Sequence, residues 1–348
     1  MLDLTHYNTL RVPAWAKNFL KINTFSDLAE INYSEPFLFL GLGANILFTH
    51  DFPGTIVKIN LHGRNIIKET SNFIEIEVAS GENWHDLVMW TSTNGWSGLE
   101  NLALIPGTVG AAVRGNIAAY GQNQGDLVTQ VTYYDIRTQK SHTLATQDCV
   151  FVYRSSIFCG DDYKDCLITS ATYRLTKKFD LNTSYLDIRK KDSLITELAT
   201  FTKPPFTPTQ VAQAVINIRT RKLPDWNKVG TAGSFFKNPF VTQDKLKELQ
   251  SQVSDLQFYP TNKMLYPDTN DPILNKLELV KIPVARLVDE LGWNGKIIGH
   301  VSTAPKQPLC IINLGGATGL EIFDYAELMR KDVKTHFDLD LDYEVKII

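Results

Sequence analysis

Short segments in which apolar and polar residues alternate, separated by glycine and proline, predict that much of the chain is β-structure. Three aliphatic residues alternate with two glutamates across residues 74–78, which is the pattern of a strand with one buried face. Apolar and β-branched density predicts further strands at residues 37–40, 55–59, 128–136 and 167–175. Apolar residues alternate with charged ones over residues 341–347, which predicts a terminal strand with one apolar face.

Helical periodicity marks three other segments. Asn83 can cap a helix that begins with an apolar face. Three prolines within residues 203–208 form a junction, and a helix is expected to follow from Thr209. Thr318 and Glu321 have the spacing of a capping box in front of an apolar helical stripe. Because helices and strands are mixed along the chain, the fold class is predicted to be α+β.

Length and composition limit the classes of function. A chain of 348 residues is longer than one ordinary core, so two or three domains are expected. The net charge of -3, with basic residues scattered, lacks the basic stripe of a nucleic-acid binder. No segment resembles a signal peptide or an uncharged membrane span, so a cytoplasmic protein without membrane insertion is expected. The four cysteines show no zinc spacing, so reduced thiols and no metal site are predicted.

Two glycine-rich segments could bind an anionic ligand through backbone amides. Residues 40–45 follow an apolar strand, but the third glycine of a dinucleotide-binding fingerprint would fall at Ile46, where a strand begins instead of a helix. This segment is either an anion-binding turn or a plain turn between strands. Residues 101–121 are rich in small residues, and Gly107 and Gly110 permit conformations closed to other residues. That segment is either a loop in close contact with a ligand or a buried loop that packs on itself.

Two strings beside these glycines carry a resemblance to a known family. Gly-Glu-Asn-Trp-His at residues 81–85 and Gly-Leu-Glu-Asn-Leu-Ala-Leu-Ile-Pro-Gly at residues 98–107 resemble the flavin-binding half of the UDP-N-acetylenolpyruvoylglucosamine reductase family. The resemblance covers most of the chain, although Arg114 and its neighbours depart from the family pattern. It implies FAD as the cofactor, with ten binding positions at Gly41, Gly43, Ala44, Asn45, Gly107, Thr108, Val109, Gly110, Asn116 and Arg154.

The most specific string is Gly-Thr-Ala-Gly-Ser-Phe-Phe-Lys-Asn-Pro at residues 230–239. By itself, a serine after glycine is usually a turn residue, and no Gly-x-Ser-x-Gly elbow for acyl transfer is present. The whole string matches the same reductase family closely. That resemblance implies that Ser234 is the proton donor and that Asn238 contacts the UDP diphosphate.

Other positions are implied by the same resemblance. Arg154, in Phe-Val-Tyr-Arg-Ser-Ser-Ile-Phe, falls on the catalytic arginine, whose guanidinium suits a carboxylate, although a half-buried structural arginine would have the same sequence context. Glu344 falls on the glutamate that reaches the flavin site, whereas its alternation pattern alone predicts a solvated carboxylate. Substrate-binding positions are implied at Tyr185, Lys222 and Gln307.

The implied architecture is a two-subdomain FAD-binding module of vanillyl-alcohol-oxidase type plus a C-terminal α+β substrate-binding domain. The boundaries are residues 1–65 and 66–223 for the subdomains and residues 224–338 for the substrate domain, with the terminal strand at residues 339–348 returning near the active site. The implied reaction is NADPH-dependent reduction of the small molecule UDP-N-acetylglucosamine enolpyruvate in wall-precursor synthesis. The sequence does not decide the oligomeric state, for which a monomer is the expectation.

Two alternatives remain open at this point. An FAD-dependent oxidase or dehydrogenase on the same scaffold would often tether its flavin covalently, so flavin released by acid denaturation would favour the reductase. An inactive nucleotide-sugar-binding protein with a flavin fold is the second alternative. The polar residues Ser234, Arg154 and Glu344 argue against it, because a binding module does not need all three.

Overall fold

The computed structural model describes residues 1–179, 182, 193–260 and 279–348. Tyr185, a predicted substrate-binding residue, lies outside these ranges. Within them the chain forms three main sheets and several short two- or three-stranded ones, with helices packed against the sheets. No helix in the described ranges has the length and apolar character needed to cross a membrane.

The N-terminal sheet has the strand order β1-β2-β5-β3 and is parallel except at β1. Its strands are β1 (Leu2–Asp3), β2 (Trp15–Ile22), β3 (Phe37–Leu40) and β5 (Phe52–Ile59). Because β3 and β5 are parallel, their carboxyl ends meet at one edge, where the turn at residues 41–45 lies. The strand β4 (Ile46–Leu47) leaves this edge and pairs with β20 (Lys346–Ile347) at the end of the chain.

The second sheet is antiparallel and has the order β11-β10-β12-β7-β6. Its strands are β6 (Arg64–Glu69), β7 (Phe73–Ala79), β10 (Val128–Asp135), β11 (Lys140–Ala145) and β12 (Cys166–Thr176). The helices α1 (Trp84–Thr93), α2 (Val109–Gly115), α3 (Leu194–Ala199) and α4 (Pro208–Lys222) and the hairpin β8 (Ala118–Ala119)–β9 (Gln122–Asn123) belong to the same region. The predicted alternation is confirmed, since Ile74, Ile76 and Val78 are fully buried in one core with Trp84.

The C-terminal region is built on the sheet β13-β19-β18-β17 and a small sheet β14-β16-β15. The strands are β13 (Gly230–Ser234), β14 (Phe240–Val241), β15 (Tyr259–Pro260), β16 (Val280–Lys281), β17 (Ile297–Ile298), β18 (Val301–Ala304) and β19 (Gln307–Asn313). The helices are α5 (Gln243–Gln252), α6 (Val284–Glu290) and α7 (Gly319–Phe337). One continuous core joins this region to the N-terminal sheet, so that Leu10 and Phe48 pack in the same cluster as Phe235 and Met329.

Helix boundaries differ slightly from the prediction because of capping. Asn83 caps α1 through its side chain, as predicted. Helix α4 begins one residue before Thr209, because Pro208 occupies its first turn and Thr207 forms a capping box with Gln210. At α7 the predicted capping box is only half formed.

Two segments adopt structures that the sequence pattern did not predict. Residues 109–115, predicted as part of a loop, form the short helix α2, and Gly110 has an ordinary helical conformation there. The predicted strand at residues 341–347 is wrong except for its last two residues. The preceding residues are bound by Phe235 and Lys237 rather than by a sheet neighbour, since Lys237 N donates to Asp342 O and Glu344 N to Phe235 O.

Candidate active site

The two glycine-rich segments lie against each other. A Cβ atom built on Gly41 would be 2.7 Å from Thr108 Oγ1 and 3.7 Å from Ala111 Cβ, so the turn after β3 touches the start of α2. Gly43 has a φ of +74° and packs on the backbone of Tyr7, which explains why glycine is needed there. Two distant parts of the chain therefore form one glycine-lined surface.

Backbone amides at this surface are available to a ligand. Among the described residues, the amides of Gly43, Ala44 and Asn45 donate to no acceptor, and those of Gly107 and Thr108 also have none. A Cβ on Gly107 would meet nothing within 4 Å. By contrast, Val109 N donates to Glu82 O and Gly110 N to Ser80 O, so these two amides are occupied. Unpaired amides on adjoining turns fit the pyrophosphate of a dinucleotide such as FAD.

Lys58 adds a positive charge beside the first glycine turn. Its Nζ donates to the carbonyl oxygen of Gly41, at the carboxyl edge of the parallel strands. Burial, and secondarily the charge of Lys21, lower the pKa of Lys58. A partly desolvated ammonium group at this position favours a ligand with anionic oxygens.

Arg154 lies on a tight loop that other predicted site residues hold in place. The loop is closed by reciprocal backbone hydrogen bonds between Val152 and Ser155, and Arg154 has a φ of +54°. Asn116 Nδ2 donates to Val152 O at 2.9 Å, while its Oδ1 accepts from Gly125 N. Both ends of the Asn116 amide are thus engaged, which makes Asn116 a positioning residue for the Arg154 loop.

Arg114, which departs from the family pattern, connects α2 to the segment after Arg154. Its Nη1 donates to Phe158 O, and its own carbonyl accepts a hydrogen bond of 2.8 Å from Ser156 Oγ. These contacts fix the far side of the Arg154 loop. The Arg114 side chain therefore has a structural role in this chain.

Arg154 forms an ion pair with Glu344. Its Nε lies 2.8 Å from Glu344 Oε1, and the two side chains are 25 % and 20 % exposed, so the pair is screened only in part. Burial opposes the charge of Arg154, but Glu344 and Tyr153 outweigh it and raise the pKa of the guanidinium. The prediction of a solvated Glu344 from its alternation pattern is wrong, because the terminal segment turns inward toward Arg154.

Glu344 also connects the first glycine turn to Ser234. Its carbonyl accepts a hydrogen bond of 2.9 Å from Asn45 Nδ2, and its amide donates to Phe235 O at 2.9 Å. Ser234 is the last residue of β13 and directly precedes Phe235. The structure thus brings Ser234, Arg154 and Glu344 into one neighbourhood with Asn45.

Ser234 carries a hydroxyl group that no described residue binds. The preceding Gly233 has a φ of +75°, and a Cβ there would meet nothing within 4 Å, so the strand end faces open space. Across the sheet Ser234 pairs with Cys310, which is fully buried. Burial raises the pKa of the Cys310 thiol to about 12, so this neighbour is not a proton donor of comparable strength to an ordinary thiol.

Asn238 contacts Tyr153, the residue that precedes Arg154 in the chain. Its backbone N–H donates to Tyr153 Oη at 3.3 Å, and its side-chain oxygen accepts from Val284 N at 3.1 Å. The Tyr153 ring lies below two cations, with Lys281 Nζ at 4.7 Å and Arg154 Cζ at 5.6 Å from its centroid. Burial, reinforced by the charge of Arg154, lowers the pKa of Lys281. Lys281 and Arg154 therefore form a positively charged group around the Tyr153 ring.

The remaining predicted residues, Lys222 and Gln307, lie at the end of α4 and the start of β19. Lys222 ends α4, and the carbonyl of its neighbour Arg221 accepts from Lys306 Nζ at 3.2 Å, next to Gln307 at the start of β19. Gln307 forms no hydrogen bond to another predicted site residue within the described ranges. The hydrogen bond between Lys306 and Arg221 therefore connects the start of β19 to the end of α4.

Two cations within electrostatic range of Arg154 were not singled out from the sequence. Arg219 lies one helical turn before Lys222 in the string Arg-Thr-Arg-Lys-Leu-Pro, and this spacing was a signal that could have identified it. Lys281 had no such signal, because it lies in an ordinary apolar context on β16.

Comparison with known proteins identifies the family of this chain. Residues 27–146 match the model of an FAD binding domain, and residues 225–348 match that of the UDP-N-acetylenolpyruvoylglucosamine reductase, C-terminal domain. The reductase of Flavobacterium johnsoniae is 36 % identical, over 99 % of this chain and 98 % of its own. That of Bdellovibrio bacteriovorus is also 36 % identical, over 98 % of this chain and 97 % of its own.

A solved structure supports the fold. The crystal structure of UDP-N-acetylenolpyruvylglucosamine reductase from Thermus caldophilus superposes with a TM-score of 0.65 at 19 % identity, covering 99 % of this chain and 97 % of that one. The predicted α+β fold, with an FAD-binding module and a C-terminal domain, is confirmed. From the matched models, the relatives and the joined glycine turns together, the chain belongs to the UDP-N-acetylenolpyruvoylglucosamine reductase family of FAD-binding oxidoreductases.

Proposed function

We propose that this protein reduces UDP-N-acetylglucosamine enolpyruvate to UDP-N-acetylmuramate with NADPH, through FAD, in the synthesis of peptidoglycan precursors. The observation that carries the proposal is the Arg154–Glu344 ion pair, whose Glu344 backbone is bonded both to the glycine turn at Asn45 and to the residue after Ser234. This arrangement supports a site in which the Arg154 charge and the Ser234 hydroxyl lie together beside the glycine turns that would bind the dinucleotide.

The residues of the two glycine turns would hold FAD. The unpaired amides of Gly43, Ala44, Asn45, Gly107 and Thr108 would bind its pyrophosphate. Gly41 contributes by letting the turns touch, and Val109 and Gly110 by anchoring α2 to residues 80–82. When bound, FAD supplies the hydride that adds to carbon 3 of the enolpyruvyl group.

Arg154 would stabilise the charge that develops during reduction. An alkene that carries a carboxylate resists hydride addition because negative charge accumulates on carbon 2 and the carboxylate. A guanidinium held on a closed loop and already paired with Glu344 needs little reorganisation to meet that charge. Glu344 would orient Arg154 and the terminal segment.

Ser234 would give its hydroxyl proton to carbon 2. One C–H bond then forms at carbon 3 and one at carbon 2, while the double bond is lost, so that one hydride and one proton are consumed. The free hydroxyl at the end of β13 and the open space beside Gly233 support this role. Positioned acid catalysis of this kind contributes roughly 10²–10⁴ in rate.

The substrate would be held by the margin of the cleft. Asn238, Lys222 and Gln307 would contact its UDP portion, and Tyr185, outside the described residues, would also contact the substrate. We also propose residues 1–65 and 66–223 as FAD-binding subdomains and residues 224–338 as the substrate domain. A cytoplasmic setting agrees with four free cysteines.

Anaerobic stopped-flow absorbance tests the proposal. The flavin absorbance is expected to bleach when NADPH is added and to return only when the enolpyruvyl UDP-sugar follows. UDP-N-acetylglucosamine, which lacks the enolpyruvyl group, is the matched control and should leave the flavin bleached. Recovery with the control, or none with the enolpyruvyl sugar, would show that the proposed substrate is wrong.

A further inference from the structure

The first turn of α1 holds the segment that leads into the second glycine turn, at Gly107. Trp84 contacts this segment twice, since its Nε1 donates to Leu102 O and its backbone N–H donates to Gly107 O, both at 3.1 Å. Between these two contacts, Leu104 N donates to Nδ1 of His85 at 3.1 Å. The imidazole of His85 thus binds the middle of a segment whose two ends are held by the preceding residue of the helix.

Leu104 is where this segment bends. Its φ of +59° lies in the left-handed region, which is unfavourable for a residue with a side chain. Such a conformation persists only where the surroundings hold it. His85 holds the Leu104 N–H, and the next residue, Ile105, packs against the core of the second sheet. Residues 101–103 are buried and residues 104–107 are half-buried, so the bend turns the chain from the core to the partly exposed glycine segment.

The segment ends in amides that would meet FAD. Among the described residues, the amides of Gly107 and Thr108 donate to no acceptor. Their direction is set from both sides, because Val109 N on the far side is bonded to the chain that precedes α1, and the Leu104 bend lies on the near side. Loss of the hydrogen bond to His85 would therefore release one side of the turn. The inference rests on the proposed function for the contact between this turn and FAD.

The acceptor at the bend is ionisable. A neutral imidazole has one N–H and one acceptor nitrogen, whereas a protonated imidazole is a donor at both nitrogens and cannot accept from Leu104 N. Two charged groups act on His85, namely Asp86, its neighbour on α1, and Arg219 on α4. Burial, with the charge of Arg219, lowers the pKa of His85, although Asp86 opposes this effect. The neutral, accepting form is therefore favoured at neutral pH.

We propose that His85 is a positioning residue for FAD, whose neutral imidazole holds the Leu104 bend and whose protonation releases that bend and weakens FAD binding. The affinity for FAD should then be constant where His85 is neutral. It should decrease as the pH falls below the lowered pKa of His85, by at most about tenfold per pH unit.

The test compares His85→Asn and His85→Leu with the parent protein. The side-chain oxygen of Asn can take the place of Nδ1 and accepts at every pH, whereas Leu removes the acceptor. His142→Asn is the control, because His142 is an exposed histidine of β11 that stacks on Tyr133 of its own sheet. One arm measures the FAD dissociation constant by flavin fluorescence between about pH 5 and about pH 8, which spans the usual histidine pKa.

A second arm measures the protection of the Leu104 amide against hydrogen exchange in the FAD-free proteins, which reports the bend without the cofactor. His85→Leu should lose this protection and bind FAD about tenfold more weakly than the parent at about pH 8. His85→Asn should match the parent at that pH. On acidification the parent and His142→Asn should lose FAD affinity more steeply than His85→Asn, because only they retain the titrating acceptor.

Equal pH profiles of FAD affinity in the parent and His85→Asn would overturn the proposal, because the protonation of His85 would then have no effect on the cofactor. Loss of Leu104 protection in His85→Leu without any loss of FAD affinity would also overturn it, since the bend would not govern FAD binding. Failure of the proposed reaction is distinguishable, because the parent would then bind FAD normally while the enolpyruvyl UDP-sugar failed to reoxidise the flavin.

Discussion

At the scale of single residues, Glu344 connects the parts of the candidate site. Its carboxylate pairs with Arg154, its carbonyl accepts from Asn45, and its amide binds the residue after Ser234. The ion pair is about one-quarter exposed, so it is too solvated to be a strong source of stability. Its value lies in position, because it fixes a guanidinium where a substrate carboxylate can reach it.

Replacing Ser234 with Ala should separate the two half-reactions. Reduction of FAD by NADPH does not need the hydroxyl and should proceed at the parent rate. Oxidation by the enolpyruvyl sugar should slow by roughly 10²–10⁴, because carbon 2 loses its proton donor. Stopped-flow traces of each step measure both rates.

Ser302→Ala is the matched control, since Ser302 is a buried serine of the same sheet that donates to Thr303 O. This variant should leave both steps unchanged. Equal rates in Ser234→Ala and the parent would eliminate the proton-donor role.

Glu100 is a buried carboxyl group outside the site, bound by Ser97 Oγ at 2.5 Å and Gly98 N at 2.6 Å. Burial raises its pKa despite these bonds. The folded protein then holds the proton more tightly than the unfolded chain. The contribution of Glu100 to the free energy of unfolding is therefore most favourable below the usual carboxyl pKa. That contribution is lost as the pH rises through the raised value.

Glu100→Gln should remove this pH dependence, since an amide can accept from Gly98 and donate to Ser97 without titrating. The free energy of unfolding of the variant, relative to the parent, should therefore increase as the pH rises above the usual carboxyl pKa of about 4, by at most about 1.4 kcal/mol per pH unit. Urea unfolding across this range measures the difference. A difference that does not change with pH would contradict the raised pKa.

At the scale of elements, caps decide where helices begin. Thr318 Oγ1 accepts from Glu321 N at 3.1 Å at the start of α7. The Glu321 carboxylate does not return to Thr318, because it accepts a hydrogen bond of 2.8 Å from His300 N instead. Local spacing therefore predicted the start of α7. The capping box is incomplete because the Glu321 carboxylate binds the distant backbone amide of His300.

Thr318→Ala should lower the free energy of unfolding by about 1 kcal/mol, because the amide of Glu321 loses its acceptor at the N-terminus of α7. Thr335→Ala, in the last turns of the same helix, is the control and should be close to neutral. Urea titration followed by circular dichroism compares the two. Equal effects would mean that the cap contributes nothing specific.

At the scale of the whole molecule, the FAD surface lies where two cores meet. The N-terminal strands share a core with the C-terminal region, and the second sheet has a core of its own. The Gly41 turn follows a strand of the N-terminal sheet, and Thr108 lies in the region of the second sheet. Gly41 and Thr108 are in contact. A ligand bound there should stabilise both.

FAD at about one hundred times its dissociation constant should raise the free energy of unfolding by about 2.7 kcal/mol. Gly41→Ala should reduce this gain at the same FAD concentration, because the new Cβ would lie 2.7 Å from Thr108 Oγ1 and separate the turns. Thermal unfolding with and without FAD measures the gain.

Gly160→Ala is the control, since its Cβ would meet only Ile157 O at 3.3 Å. This variant should keep the full stabilisation by FAD. If Gly41→Ala also kept it, the contact between the two turns would not matter for the cofactor.

The sequence by itself determined the features that depend on neighbouring residues. The cap at Asn83, the buried alternation of Ile74, Ile76 and Val78, and the strand that ends before Gly41 follow from spacing and side-chain type, because each is decided within a few residues. The family strings likewise identified Ser234, Arg154 and Glu344 as candidates.

Only the tertiary structure decided what these residues contact. The terminal segment lost most of its predicted strand because Phe235 and Lys237 supplied its partners, and Asn116 was engaged by the Arg154 loop. Pairing between Arg154 and Glu344 depends on which surfaces meet when two cores pack. These contacts join residues that are far apart in the chain, so no local sequence pattern encodes them.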